Sequence, residues 1–334
     1  MNVNSSFKKN KVTGLGLSSG GLDSILSALV LKKQGIDVIW ISFKTPFFSS
    51  NQAIKASKDT KIPIIINDIT DIYLKMLENP KAGYGKNMNP CMDCHALMFS
   101  EAGKIMKKYN YDFLFSGEVI GQRPKSQNKN SLRYVEKKSG FAGFILRPLS
   151  AKILPKTVVE KQGIVNREKL FSISGRSRKI QIKMADDFGI KDYPAPAGGC
   201  LLTDKNFSAR LHDLMFVQKK YKKKDLYLLR YGRHIRLNKK IKIVVGRSKD
   251  DNDKILENYE EEKDILIKHA FLPSPVLLIS SKATPDIIKQ AASICASYTK
   301  TKIGDITDIK IESQLGEEII KAAPIAKSSI NQFI

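Results

Sequence analysis

Between residues 12 and 117, short apolar runs alternate with segments whose apolar residues recur at helical spacing. This alternation restricts the fold more than any other feature of the 334-residue chain. Residues 12–18, 37–43, 62–67 and 112–117 read as buried strands. Residues 25–34, 53–60, 71–78 and 94–109 read as helices, the first stopped by Gly35. Strands alternating with helices build an α/β fold: a doubly wound, mostly parallel sheet with helices on both faces and short right-handed crossovers.

Beyond residue 121 the pattern changes. Residues 121–150 are polar and basic and end in a strand-like run at 143–149. Residues 157–190 read as mainly helical, 193–200 as a loop because of its prolines and glycines, and 207–220 as a helix. A second pattern follows: a strand at 241–245, a helix at 249–259, and β runs at 265–269 and 276–280. A last helix opens at the Thr284 cap with Pro285 in its first turn and runs to 298. Three segments are expected: a core over 1–150, a helical extension with a basic surface over 151–225, and a second, smaller α+β domain over 226–334. No apolar run is long enough to span a membrane. Residues 1–12 lack the hydrophobic core of a signal peptide, so a cytoplasmic protein is expected.

The formal net charge of +24 is concentrated. Residues 123–247 hold 31 Lys and Arg against 9 Asp and Glu, and the remainder holds 26 against 24. A general basic bias would spread evenly. The concentration points to a polyanion, nucleic acid above all, docking on the middle of the chain.

Ser19-Gly20-Gly21-Leu22-Asp23-Ser24 lies between the first strand and the first helix. Glycines let the backbone approach an anion, and the helix adds its positive N-terminal end. Ser19 and Ser24 carry hydroxyls for phosphate oxygens, and Asp23 suits Mg²⁺. No lysine of the Walker type is present.

The hexapeptide resembles the PP-loop of the N-type ATP pyrophosphatases, the superfamily of GMP synthetase, asparagine synthetase and the tRNA thiolases. That resemblance implies an adenine nucleotide alpha hydrolase-like fold and the splitting of ATP to AMP and pyrophosphate with Mg²⁺. Four further stretches resemble the tRNA thiolases. Cys91-x-x-Cys94, Gly117-Glu118-x-x-Gly121-Gln122 with Ser126-Gln127, and Leu146-Arg147-Pro148-Leu149 are similar to segments of the tRNA 4-thiouridine synthetases. Ala197-Gly198-Gly199-Cys200 is similar to the loop that carries the distal cysteine of tRNA thiolases generally. The implied reaction adenylates a uridine carbonyl oxygen and replaces it with sulfur, 4-thiouridine being preferred to 2-thiouridine. The implied catalytic residues are Cys200, Asp23, Cys91 and Cys94. Ser19, Gly20, Gly21, Asp23, Ser24, Phe43 and Gly117 would contact the nucleotide; for Phe43 a core role is an equal alternative.

Cys91, Cys94 and Cys200 admit three chemistries. Three thiolates hold a 4Fe–4S cluster with one iron open, the preferred reading. Alternatively Cys200 carries a persulfide that Cys91 or Cys94 resolves, or the thiolates bind structural zinc, for which His95 is a candidate fourth ligand although a helix residue near the site is its preferred reading. Cys295, among Ala291, Ala292 and Ile294, reads as a core cysteine. Arg147 reads either as a phosphate or tRNA contact or as a surface charge.

Residues 219–224 and 230–236 interleave cations with Tyr221 and Tyr231, a composition suited to RNA. The segment 244–252, with Pro273 to Val276 beyond, resembles the RNA-binding module at the C-terminal end of NFACT proteins. The 4-thiouridine synthetases usually carry an N-terminal THUMP region, and some a rhodanese domain. Neither is expected here, so tRNA binding would fall to the basic middle and the C-terminal module. The implied partners are tRNA, a sulfur donor (sulfide or a cysteine desulfurase) and a second copy of the chain in a homodimer, with no membrane. The rival reading is a non-catalytic RNA-binding protein built on a PP-loop domain.

Overall fold

The computed structural model describes residues 11–123, 125–195, 200–280, 282–330 and 333–334. The chain divides into two compact units between Leu201 and Leu202.

The first unit contains β1 (Thr13–Leu17), α1 (Leu22–Lys32), β2 (Asp37–Lys44), α2 (Asn51–Thr60), β3 (Ile64–Asp68) and α3 (Thr70–Glu78). It continues with α4 (Cys91–Lys108), β4 (Phe113–Ser116), α5 (Lys129–Ser139), β5 (Ile145–Leu146), α6 (Val158–Lys161) and α7 (Lys179–Asp187). The strands form one sheet in the order β3-β2-β1-β4-β5, and every pairing is parallel. The α/β expectation holds for this unit. Trp40, Phe113, Phe115 and Leu146 from the sheet meet Leu22, Leu26 and Leu31 of α1 in the core. β1 is central, and the chain leaves it toward β2 while β4 lies on its other side. The carboxyl ends of β1 and β4 therefore flank the topological switch point, where open α/β sheets bind ligands.

Two expectations change. The basic stretch after 121 contains α5, whose inward face is limited to Ser131, Leu132, Val135 and Ser139. Its caps are regular: Asn128 Oδ1 accepts from Ser131 N at 2.9 Å, and Gly140 closes the C-terminus with φ 79°. Within 157–190, only α6 and α7 are α-helical. The intervening chain turns through a 3-10 helix at Arg167–Lys169 and then pairs its backbone with residues 148–152: Phe171 N donates to Pro148 O, and Ile173 N to Leu149 O.

The second unit contains α8 (Lys205–His212), a π-helical turn over Asp213–Gln218, α9 (Lys223–Leu228), β6 (Arg233–Arg236), β7 (Lys242–Val245) and α10 (Lys249–Glu257). Then come β8 (Asp264–His269), β9 (Leu277–Ser280), α11 (Pro285–Ser297), β10 (Thr307–Ser313) and β11 (Gly316–Ala322). Its sheet is antiparallel throughout, in the order β11-β10-β8-β9-β7-β6. α11 packs on it, with Cys295 fully buried beside Ala291, Ala292 and Ile294.

The division falls earlier than 225 because residues 205–228 are tied to the second sheet. Asp213 accepts from Arg236, and Lys224 Nζ lies 2.6 Å from Asp264. No helix among the described residues is long and apolar enough to cross a membrane.

Candidate active site

The hexapeptide turns from β1 into α1 at the switch point. Gly20 has φ 75°, and a Cβ there would stand 2.3 Å from the Gln52 carbonyl carbon. Gly117, at the end of β4, approaches so closely that a Cβ would stand 2.4 Å from the Asp23 carbonyl carbon. Both positions require glycine, and both bring backbone from β4 and α2 against the loop. Gly20→Ala is therefore expected to destabilise the unit by about 1–3 kcal/mol, which thermal unfolding would read.

Ser24 Oγ donates to Gly21 O at 2.7 Å, and Ser19 Oγ accepts from Gly21 N at 3.4 Å. Ser18, which the sequence reading passed over, is buried and accepts from Gly20 N at 3.2 Å. Asp23 Oδ2 accepts from Gln122 Nε2 at 2.9 Å, and Arg178 Nη2 stands 3.9 Å from the same oxygen. Asp23 Oδ1, Gln122 Oε1 and Arg178 Nε are buried and have no partner. An unanswered carboxylate oxygen beside an anion loop fits a hard cation such as Mg²⁺.

Glu118 organises the β4 side. Its Oε1 meets His95 Nδ1 at 2.8 Å, and its Oε2 accepts from Arg147 Nε at 2.9 Å and from Ser116 Oγ at 3.0 Å. Burial alone would raise the Glu118 carboxyl, but Arg147 and His95 override it and hold it at about 2. Arg147 also binds Glu136 and is 3% exposed. It is thus not a surface charge, which corrects that reading, and its Nη2 is buried without a partner.

Cys91 opens α4, so Cys91 and Cys94 share one side of its first turn. The buried Asp93 between them accepts from Ala82 N and from Tyr134 Oη, each at 2.7 Å, and so fixes that turn to the preceding loop and to α5. Asn89 Nδ2 donates to Cys91 Sγ at 3.2 Å. The wholly buried Tyr73 of α3 faces Cys94, and the rings of Phe47 and Phe48 pack on it at 5.6 and 5.5 Å. Leu201 N donates to Phe47 O at 3.3 Å, which brings Cys200 to this same aromatic wall. Burial pushes the Cys94 thiol up to about 12; the Tyr73 hydroxyl opposes the rise, and Cys200, Cys91 and Asp93 add to it. The Tyr73 phenol is itself raised well above its ordinary value, by burial first and then by Cys94 and Cys200. The three cysteines therefore lie within electrostatic reach of one another. Among the described residues, no three His, Cys, Asp or Glu side chains stand at metal-holding separations. Cys94 and Cys200 share the aromatic wall, and Cys91 stands within one helical turn of Cys94; thiols are the donor type of soft-metal and iron–sulfur sites. Ala197, Gly198 and Gly199 lie outside the described residues.

Phe43 is buried near the carboxyl end of β2, and its carbonyl accepts from Ser50 Oγ. Gln122, Glu118 and Arg178 were not singled out as site residues from the sequence. Gln122 and Glu118 sat inside a quoted motif, whereas Arg178 had no local signal. In the second unit, Lys219, Lys220, Lys222, Lys239 and Lys240 are exposed, Tyr221 and Tyr231 are half-buried, and Arg236 is taken up by Asp213.

An all-parallel sheet with a serine–glycine loop at its switch point places the first unit among the open α/β folds whose ligand sites lie at that point. Residues 9–169 match the family model described as thiamine biosynthesis protein (ThiI), and residues 232–334 match the NFACT protein RNA binding domain. The tRNA-specific 2-thiouridylase MnmA of Karelsulcia muelleri is 28% identical over 282 residues, covering 78% of this chain and 66% of that protein. The protein of the same name from Endomicrobium trichonymphae is 30% identical over 228 residues, covering 58% and 62%. The "Probable tRNA sulfurtransferase" of Acholeplasma laidlawii is 30% identical over 148 residues, covering 41% and 34%. The chain thus spans at most 66% of the length of these relatives. It is thus similar to the ThiI family over residues 9–169, to the NFACT RNA-binding domain over residues 232–334, and to the tRNA-specific 2-thiouridylases over most of its length.

Proposed function

We propose that the protein is an ATP-dependent tRNA sulfurtransferase. A uridine carbonyl oxygen attacks the α-phosphorus of ATP, and pyrophosphate leaves. A sulfur nucleophile then adds to the activated ring carbon, and AMP departs with the oxygen. The observation that carries this reading is the convergence, in one unit, of two features. One is a loop with an unanswered Asp23 oxygen at the switch point; the other is three thiols gathered around Tyr73.

The loop from Ser19 to Ser24 binds the phosphates, Asp23 holds Mg²⁺, and Phe43 and Gly117 border the adenosine. Cys91, Cys94 and Cys200 handle sulfur. A 4Fe–4S cluster held by these three cysteines would supply a site for sulfide. The exposed lysines of the second unit and the C-terminal module bind tRNA. Modification at the 4-position rests on the resemblance of Cys91-x-x-Cys94, of the Gly117–Gln122 segment and of Leu146–Leu149 to the tRNA 4-thiouridine synthetases. A second reading, the 2-position, is favoured by the relatives named 2-thiouridylases.

Two assays test the proposal. With tRNA present, ATP should yield AMP and pyrophosphate; ADP and phosphate would contradict the reaction class. Protein purified without oxygen should contain about four irons per chain and absorb broadly near ~400 nm. An iron-free protein that cannot be reconstituted but still thiolates tRNA would move the sulfur chemistry to a Cys200 persulfide.

A further inference from the structure

Arg178 immediately precedes α7, outside every motif that marks the site. Its side chain is only 15% exposed, yet its one ion pair is long: Nη2 stands 3.9 Å from Asp23 Oδ2. Its Nε has no partner, and neither do the adjacent Asp23 Oδ1 and Gln122 Oε1. A guanidinium carries five N–H donors and stays charged in proteins. Burying its Nε without a partner is costly unless a ligand answers it.

The residue is delivered to the loop by fixed backbone. Gly175 N donates to Ile120 O at 2.8 Å, and Ser174 bridges Ile120, so the turn that carries Gln122 also anchors the approach to Arg178. Charge balance points the same way. The hexapeptide contains no cation, and Asp23 adds a negative charge. Backbone amides and the α1 terminus supply only partial charge to a triphosphate.

We propose that Arg178 is a phosphate contact of the ATP site, its guanidinium binding oxygens of the triphosphate while Gln122 steadies Asp23 beside it. The proposal rests on the ATP-dependent reading above. Negative charge builds on the departing pyrophosphate as the α-phosphorus is attacked, so the contact strengthens in the transition state.

The test labels arginines of the full-length protein with phenylglyoxal and maps them by mass spectrometry, with Mg²⁺–ATP, with tRNA alone, or with neither. ATP should shield Arg178 and leave the exposed Arg176 reactive, while tRNA alone should leave both reactive. Unchanged labelling of Arg178 under ATP, or shielding by tRNA alone, overturns the proposal. Arg178→Ala should lower kcat/KM for ATP by on the order of 10²–10³-fold, with Arg178→Lys intermediate. Should the alanine variant fail to fold, the lysine variant and the wild-type labelling still decide. If the wild type neither binds nor cleaves ATP, the ATP reading falls and this proposal with it. If the wild type cleaves ATP and the variants match it in KM and kcat, only the Arg178 assignment fails.

Discussion

Cys200→Ala is expected to lower thiouridine formation by on the order of a thousandfold while preserving a single burst of pyrophosphate from ATP in the presence of tRNA. The separation follows from the layout of the first unit. The groups assigned to ATP sit on the β1–α1 turn and on the Gln122 and Arg178 segments. Cys200 is held at a different wall, through Leu201 to Phe47 and beside Tyr73. Without the distal thiol, activated tRNA forms and stalls, so turnover stops after about one equivalent of pyrophosphate per protein. Rapid-quench measurement of pyrophosphate alongside nucleoside analysis distinguishes the two steps. Thiolation by Cys200→Ala at the wild-type rate would remove Cys200 from sulfur transfer. Cys295→Ala serves as the control, since Cys295 is a wholly buried core residue of the second unit.

Glu118→Ala should cost about 3–5 kcal/mol of stability, because it leaves the buried Arg147 guanidinium with Glu136 as its remaining carboxylate. The same carboxylate predicts an acid transition. Its folded value of about 2 lies below the ordinary 4.5. Its contribution, roughly 3 kcal/mol by linkage, is therefore complete above the ordinary value and is lost as pH falls through the folded one. Urea titrations of wild type and Glu118→Ala between these limits check it: the two curves should converge at low pH. A constant difference down to pH 2 would contradict the role of the Arg147 and His95 pairing.

The first sheet was legible because each of its main strands is a compact apolar run set apart by helical periodicity, as in 37–43 and 112–117. α5 was hidden because only Leu132 and Val135 mark its inner face among lysines, arginines and serines. β10 and β11 escaped for a related reason. β10 shows inward residues only at Ile309 and Ile311, and β11 is mostly exposed. The loop and the cysteine pair could be read locally. The pairings of Glu118 with Arg147, of Gln122 with Asp23, and of Arg178 with the loop join residues 29, 99 and 155 positions apart. No local spacing encodes such pairings; the sheet order creates them.

The most direct test of the central claim incubates the protein, under anaerobic conditions, with unmodified tRNA, ATP, Mg²⁺ and sulfide, then digests the tRNA to nucleosides and measures thiouridine by mass spectrometry. The account predicts thiouridine that depends on ATP, with AMP and pyrophosphate formed at no less than one per sulfur inserted. Tight tRNA binding with neither thiouridine nor pyrophosphate would contradict it and leave an RNA-binding protein on a PP-loop scaffold.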